Sequence, residues 1–302
     1  CNATSGCLAY GAVVVGGVGN NTTGGTWDLA TCVFSVAPTL CNAGLYSFVG
    51  GGFQNSATFC FTTTGGGCNN TSASPCATIA GGNGNRIDAN ALTSFIGAGS
   101  GNIISSSAVC SGIVAGHNNC ILEDDSFIGG GNGNIVATSG NAQGWATIGG
   151  GQFNCTGCGG ATVAGGAQND ALGCLSFVGG GFSNINNACY GVIVGGCKNN
   201  ISSLIHRSSI LGGEQNTVSG SYSSIVGGDS NCVTGDFSSI IGVLEQTPES
   251  QSVTITSQNA IIIANRLDKN NVLIIQLQPS CNLGLIRKLL AKAVEDLNVL
   301  QV

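Results

Sequence analysis

The chain has 302 residues, of which 51 are Gly, 16 Cys, 4 Pro and none Met, and only 7% are charged, against about 25% in an ordinary soluble domain. A net charge of -6 excludes a binder held to nucleic acid by clustered Lys and Arg, and an apolar share of 42% is too high for simple disorder. No apolar run approaches the roughly 20 residues that span a bilayer, and cysteines without zinc-like clustering point to an oxidising, extracellular compartment.

The chain opens at Cys1 with neither Met nor a signal segment, the form of a processed product or a fragment. Residues 1–46 read as Cys-rich coils with an insertion around 21–45. From residue 47 to 242 one phrase returns, as SFVGGGFQN, ATIAGGNGN, SFIGGGNGN and SSIVGGDSN. Numbered from the first small residue, copies begin at Ala12, Ser47, Ala77, Ser94, Ser111, Ser126, Ala146, Ala161, Ser176, Gly191, Ser208 and Ser223. A degenerate copy fits at Thr62 and a truncated one at Ser238. The step is about 15 residues, lengthened to 17 or 20 in places.

Three positions of the repeat hardly vary. Position 3 is Ile or Val, as in Ile79, Ile96 and Ile113. Position 6 is Gly: Gly82, Gly99, Gly116, Gly131, Gly151, Gly166, Gly181, Gly196, Gly213 and Gly228. Position 9 is Asn: Asn85, Asn102, Asn119, Asn134, Asn154, Asn169, Asn184, Asn199, Asn216 and Asn231. Position 11 is often aliphatic, as in Ile87 and Ile104. A β-branched pair with position 3 inward predicts a short strand. Gly at position 6 permits the positive φ, or the close approach, of a tight corner. Asn at position 9 tolerates left-handed geometry and, stacked coil on coil, predicts an amide ladder. One coil buries about two aliphatic side chains, so only stacking makes a core. The fold class expected is all-β, a parallel β-solenoid.

Beyond the repeat, SVTITSQNAIIIAN and NVLIIQLQ, joined by RLDKN, predict a β-hairpin cap within 243–281. Residues 282–302 then carry Leu283, Ile286, Leu290, Ala293, Leu297 and Leu300 at spacings of 3, 4, 3, 4 and 3, the stripe of a coiled coil. An amphipathic helix packed on its own solenoid would show the same stripe. So short a helix needs a partner, and self-association is the expectation.

The S-x-[IV]-x-G-G-x-x-N coils followed by a heptad helix resemble the head repeats of trimeric autotransporter adhesins, and similar repeats occur in phage and giant-virus fibre proteins. The resemblance covers roughly residues 10–242. It implies a left-handed β-roll in which three chains pack around an axis, a trimeric coiled-coil neck, and attachment to a host or cell surface without catalysis. The partners implied are further copies of the chain and a surface glycan or protein receptor.

The cysteines allow narrower expectations. Cys174 and Cys189 share position 14 of consecutive coils, and stacked strands sit about 4.8 Å apart, within disulfide reach; a Cys174–Cys189 bridge is therefore expected. Cys155 and Cys158 form a C-x-x-C read as a local staple, or as partners for neighbouring coils, because no thioredoxin-like setting surrounds them. N-x-[ST] sequons at Asn2, Asn20, Asn21, Asn69, Asn70, Asn154 and Asn200 are either candidate glycan acceptors, if the chain takes a eukaryotic secretory route, or chance matches in a chain rich in Asn, Ser and Thr. Trp27, Tyr46, Phe53, Trp145, Phe153 and Phe182 are candidate ligand contacts at corners or in the insertion, strand packing being the alternative.

No enzyme, metal or cofactor is expected. His117 sits at a variable corner and His206 in a two-residue expansion, and the acidic run Glu123-Asp124-Asp125 reads as a solvated turn rather than a cation site. A purely structural, disulfide-linked filament subunit is the second reading of the whole.

Overall fold

The computed structural model describes residues 9–23, 25–37, 39–40, 43–137, 144–240 and the strands Ser252–Thr256, Ile261–Arg266 and Val272–Leu277. The chain divides into two compact units, Cys1–Leu175 and Ser176–Val302. Each is built from parallel β-solenoid turns, and no described residue is helical.

In the first unit a row of two-residue strands formed by repeat positions 2 and 3 stacks in parallel register. Phe95 faces Gly112 and Ile96 faces Ile113, then Gly112 faces Phe127 and Ile113 faces Ile128. Positions 10 and 11 form a second row, in which Cys120 faces Ile135 and Ile121 faces Val136. The second unit repeats both rows: Val192 faces Ser209 in one and Asn200 faces Thr217 in the other. Because alternate residues of a strand point to opposite faces, positions 3 and 11 enter the core. Ile79, Ile87, Ile96, Ile104, Ile113, Ile121, Ile128 and Val136 are all fully buried in the first unit, as are Ile193, Ile201, Ile210 and Val218 in the second. Each such side chain contributes about 1.5–3 kcal/mol.

The strands are short because the corner glycine turns the chain at once. Gly99 has φ +98°, and a Cβ there would lie 2.8 Å from Asn102 Nδ2 and 2.8 Å from the Gly116 amide nitrogen of the next turn. Both the backbone angle and the closeness of the next coil demand glycine.

The left-handed position is not the asparagine itself. It falls one residue earlier, at position 8, on Gln54, Asn69, Asn118, Phe153, Gln168, Ser183, Lys198, Gln215 and Ser230. A second left-handed residue closes each turn just before position 1, among them Tyr46, Phe61, Cys76, Cys110, Trp145, Tyr190, Arg207, Tyr222 and Phe237. Non-Gly residues adopt this geometry at a cost, which the stacked neighbours on both sides offset.

The asparagines do form the expected ladder. Asn102 Nδ2 donates to the Ala98 carbonyl of its own turn at 3.1 Å and to the Gly116 carbonyl of the next at 2.9 Å. Its Oδ1 accepts the Asn119 backbone N–H at 3.0 Å. In the second unit Asn199 repeats the pattern toward Gly195, Gly213 and Asn216. A second ladder of position-1 serines runs beside it: Ser111 Oγ donates to Glu123 O at 3.0 Å and accepts Ser126 N–H at 3.1 Å.

The insertion in 21–45 holds a small antiparallel pair, Thr26–Asp28 with Val33–Val36. After the coils, Ser252–Thr256 pairs antiparallel with Ile261–Arg266, which pairs antiparallel with Val272–Leu277. The heptad residues Leu283, Ile286, Leu290, Ala293, Leu297 and Leu300 lie outside the described residues.

Candidate interaction surfaces

The asparagine column is engaged turn by turn, and this bears on several site expectations. Asn20, Asn21, Asn70 and Asn154 are buried, and in Asn20, Asn70 and Asn154 the amide nitrogen a glycan would need is a ladder donor, as in Asn70 Nδ2 to Gly66 O and Gly82 O and Asn154 Nδ2 to Gly150 O and Gly166 O. Those sequons cannot carry glycans in this fold. Asn69 is exposed and Asn200 half-buried, while Asn2 lies outside the described residues. Glu123, read as part of a solvated turn, is buried. Among the described residues no three His, Cys, Asp or Glu side chains are placed to hold a metal ion.

The expected Cys174–Cys189 bridge is not formed, whereas the reading that the C-x-x-C pair reaches a neighbouring coil holds for Cys158. Cys174 bonds to Cys158, 16 residues back on the preceding turn, with Cα atoms 4.8 Å apart, and Cys189 keeps a free thiol. The one-turn separation is met on either side of Cys174, and matching repeat positions do not decide between them: the longer offset aligns Leu175 with Gly159, whose carbonyl accepts the Leu175 amide at 3.0 Å. Closing a loop of this length is worth about 3 kcal/mol in the chain-entropy account. Cys155 is not stapled to Cys158. Its thiol is pushed up to about 11, first by burial and then by the negative charge of Asp170, its neighbour across the strand pair.

Outside, the first strand row of each unit carries no charged residue at its outward positions 2 and 4. In the first unit its outward positions 2 and 4 include Phe48, Phe95, Phe127 and Val114, and in the second Phe177, Val194, Leu211 and Val226, all exposed. Wherever position 2 is Phe, position 4 is Gly: Phe48 with Gly50, Phe95 with Gly97, Phe127 with Gly129 and Phe177 with Gly179. Each ring lies down over its glycine, its Cε1 3.2–3.6 Å from where a Cβ would stand. Where position 2 is small, as in Gly112, Ser209 and Ser224, position 4 rises to Val114, Leu211 and Val226.

The candidate contact residues scatter. Trp27, Phe34 and Phe53 pack together, with Trp27 5.0 Å from Phe34 and 5.4 Å from Phe53 between ring centroids. Trp27 and Phe53 thus seat the inserted hairpin on the coils, and packing accounts for both. Trp145, Phe153 and Phe182 stand exposed on separate corners. Tyr46 belongs to a stripe of turn-closing residues, stacked on Phe61 at 5.6 Å and edge-on to Tyr10 at 6.3 Å. The second unit carries a similar stripe, Tyr190, Arg207, Tyr222 and Phe237, that reading the repeat from position 1 passes over. Its signal was the residue just before each repeat start.

No protein-family model matches the chain, and the curated proteins contain no match to it.

Proposed function

We propose that this protein is the head of a homotrimeric extracellular fibre, a left-handed β-roll leading into a coiled-coil neck over 282–302, that attaches to a host or cell surface. The observation that carries this reading is the exposed, apolar and charge-free set of outward positions on the first strand row of each unit. Exposed apolar patches of this kind mark contact surfaces. A second copy presenting the same face is a partner of matching shape and polarity. Attachment then falls to the exposed corners, with weak contacts multiplied by three chains.

The test is the native mass of the full chain, with and without reductant, for wild type and for Val114→Lys/Leu211→Lys. A compact trimer that survives reduction and falls to monomer in the double variant, with binding of the trimer to cells, is expected. A wild-type monomer at every concentration overturns the reading. Polymers that collapse on reduction favour instead the disulfide-linked filament, for which the exposed thiols Cys32, Cys76, Cys110 and Cys232 are the specific support.

A further inference from the structure

In the second unit the turn-closing corner stacks Tyr190, Arg207, Tyr222 and Phe237 in consecutive turns. The guanidinium carbon of Arg207 lies 5.3 Å from the Tyr190 ring centre and 5.7 Å from that of Tyr222. Arg207 Nη1 donates to the Tyr222 hydroxyl at 2.8 Å. Tyr222 in turn stacks on Phe237, 5.0 Å between centroids and 4° between planes. Tyr190, Tyr222 and Phe237 remain 51%, 47% and 50% exposed as residues.

The stacking fixes what solvent meets. Ring faces, the negative part of the quadrupole, are engaged by the guanidinium and by the neighbouring ring, and the guanidinium-bearing side chain itself stays open to solvent. Arg207 is exposed and has no carboxylate partner among the described residues, whose one ion pair is Arg86 with Asp88. The nearest acid in the stripe, Asp236, is two turns from Arg207 and accepts the Ser221 amide. A planar fork held by stacking, with unpaired N–H groups, matches a carboxylate bidentately. The similar stripe of the first unit, Tyr10, Tyr46 and Phe61, has no cation and serves as an internal contrast.

We infer that the Tyr190–Arg207–Tyr222–Phe237 stripe is a binding site for carboxylate-bearing saccharides, the guanidinium taking the carboxylate and the flanking side chains the sugar body. This rests on the attachment reading above and names its ligand class.

The experiment measures binding of the full chain to immobilised 3′-sialyllactose, to a hyaluronan hexasaccharide and to lactose, the neutral parent. Binding to either acidic probe over lactose is expected, and the two probes separate a terminal sialic acid from a chain uronic acid as the source. Arg207→Gln should weaken it about tenfold or more. Arg207→Lys, which keeps charge but loses the fork, should fall between, and the ion-paired Arg86→Gln should bind as wild type. Equal binding to lactose, or undiminished binding by Arg207→Gln, overturns the site, as does binding only to dextran sulfate. Should Arg207→Gln not fold, Tyr190→Leu replaces it, with a loss of about threefold expected from the missing cation–π contact. Cell attachment by a trimer of Arg207→Gln equal to wild type refutes this site and leaves the fibre-head reading standing; a monomer that still prefers the acidic probes does the reverse.

Discussion

In residues 47–72 the inward positions are Val49, Ala57, Thr64 and Ser72, whereas from 79 to 136 they are Ile at every step until Val136; both sets are fully buried. The first set buries far less apolar area, and its hydroxyls are answered by the backbone: Thr64 Oγ1 donates to Ser56 O at 2.9 Å and Ser72 Oγ to Ala77 O at 3.3 Å. Yet the strand register is continuous through them, Thr63 facing Thr78 and Thr64 facing Ile79. What the two stretches share is the asparagine ladder and the corner glycines. The ladder fixes the shape of a turn, and the aliphatic core supplies hydrophobic stability where it is present.

The largest test of that division is to remove a rung in each stretch. Asn70→Ala deletes four side-chain hydrogen bonds and Asn102→Ala five, and each should cost about 4 kcal/mol in denaturant unfolding. A much milder Asn70→Ala would mean that the polar-core turns are held some other way. Next comes the core itself: Ile113→Ala should cost about 3 kcal/mol, while Thr64→Ala, losing one methyl and one satisfied hydroxyl, should cost about 1 kcal/mol. Equal losses at the two positions would break the comparison.

The smallest effect sharpens it at the other end of the first unit, where Thr156 and Ala171 again replace aliphatic core residues. Cys155 beside them has its thiol raised from 9.0 to about 11 by burial and Asp170. The unfolded chain therefore gives up this proton first, so the thiol's contribution to stability is complete below pH 9 and is lost as pH rises toward 11. Alkylation of Cys155 by iodoacetamide should lag behind that of the exposed Cys110 up to that pH. Asp170→Asn, which removes the charge but not the burial, should move the Cys155 profile part of the way down in pH.

The repeat made the two strand rows, the inward positions 3 and 11, the corner glycine and the ladder legible, because each is a local requirement repeated in every turn. Side-chain partnerships between turns were less legible. Whether Cys174 reaches up or down, or whether Phe53 faces solvent or the Trp27 hairpin, depends on offsets of one residue at a corner that periodicity does not specify. The sequons misled because the motif describes three residues, whereas accessibility of the amide depends on the turns above and below. The Arg207 stripe was missed because its members sit at the variable end of the repeat, where turns differ in length.

That variable end has a consequence of its own. The turns starting at Ala77 and Ser94 each hold 17 residues and the one starting at Ser111 holds 15, yet Ile79, Ile96, Ile113 and Ile128 face one another in unbroken succession. All the extra length falls after position 12, outside both strand rows and the asparagine column. The stack therefore keeps time by turns and not by residues. An insertion or deletion at this edge is absorbed where it occurs and does not shift the frame of the turns that follow, so the edge that bears Tyr46 in the first unit, and the one that bears Arg207 and Tyr222 in the second, can be rewritten in length and chemistry while the strand rows of that unit stay as they are.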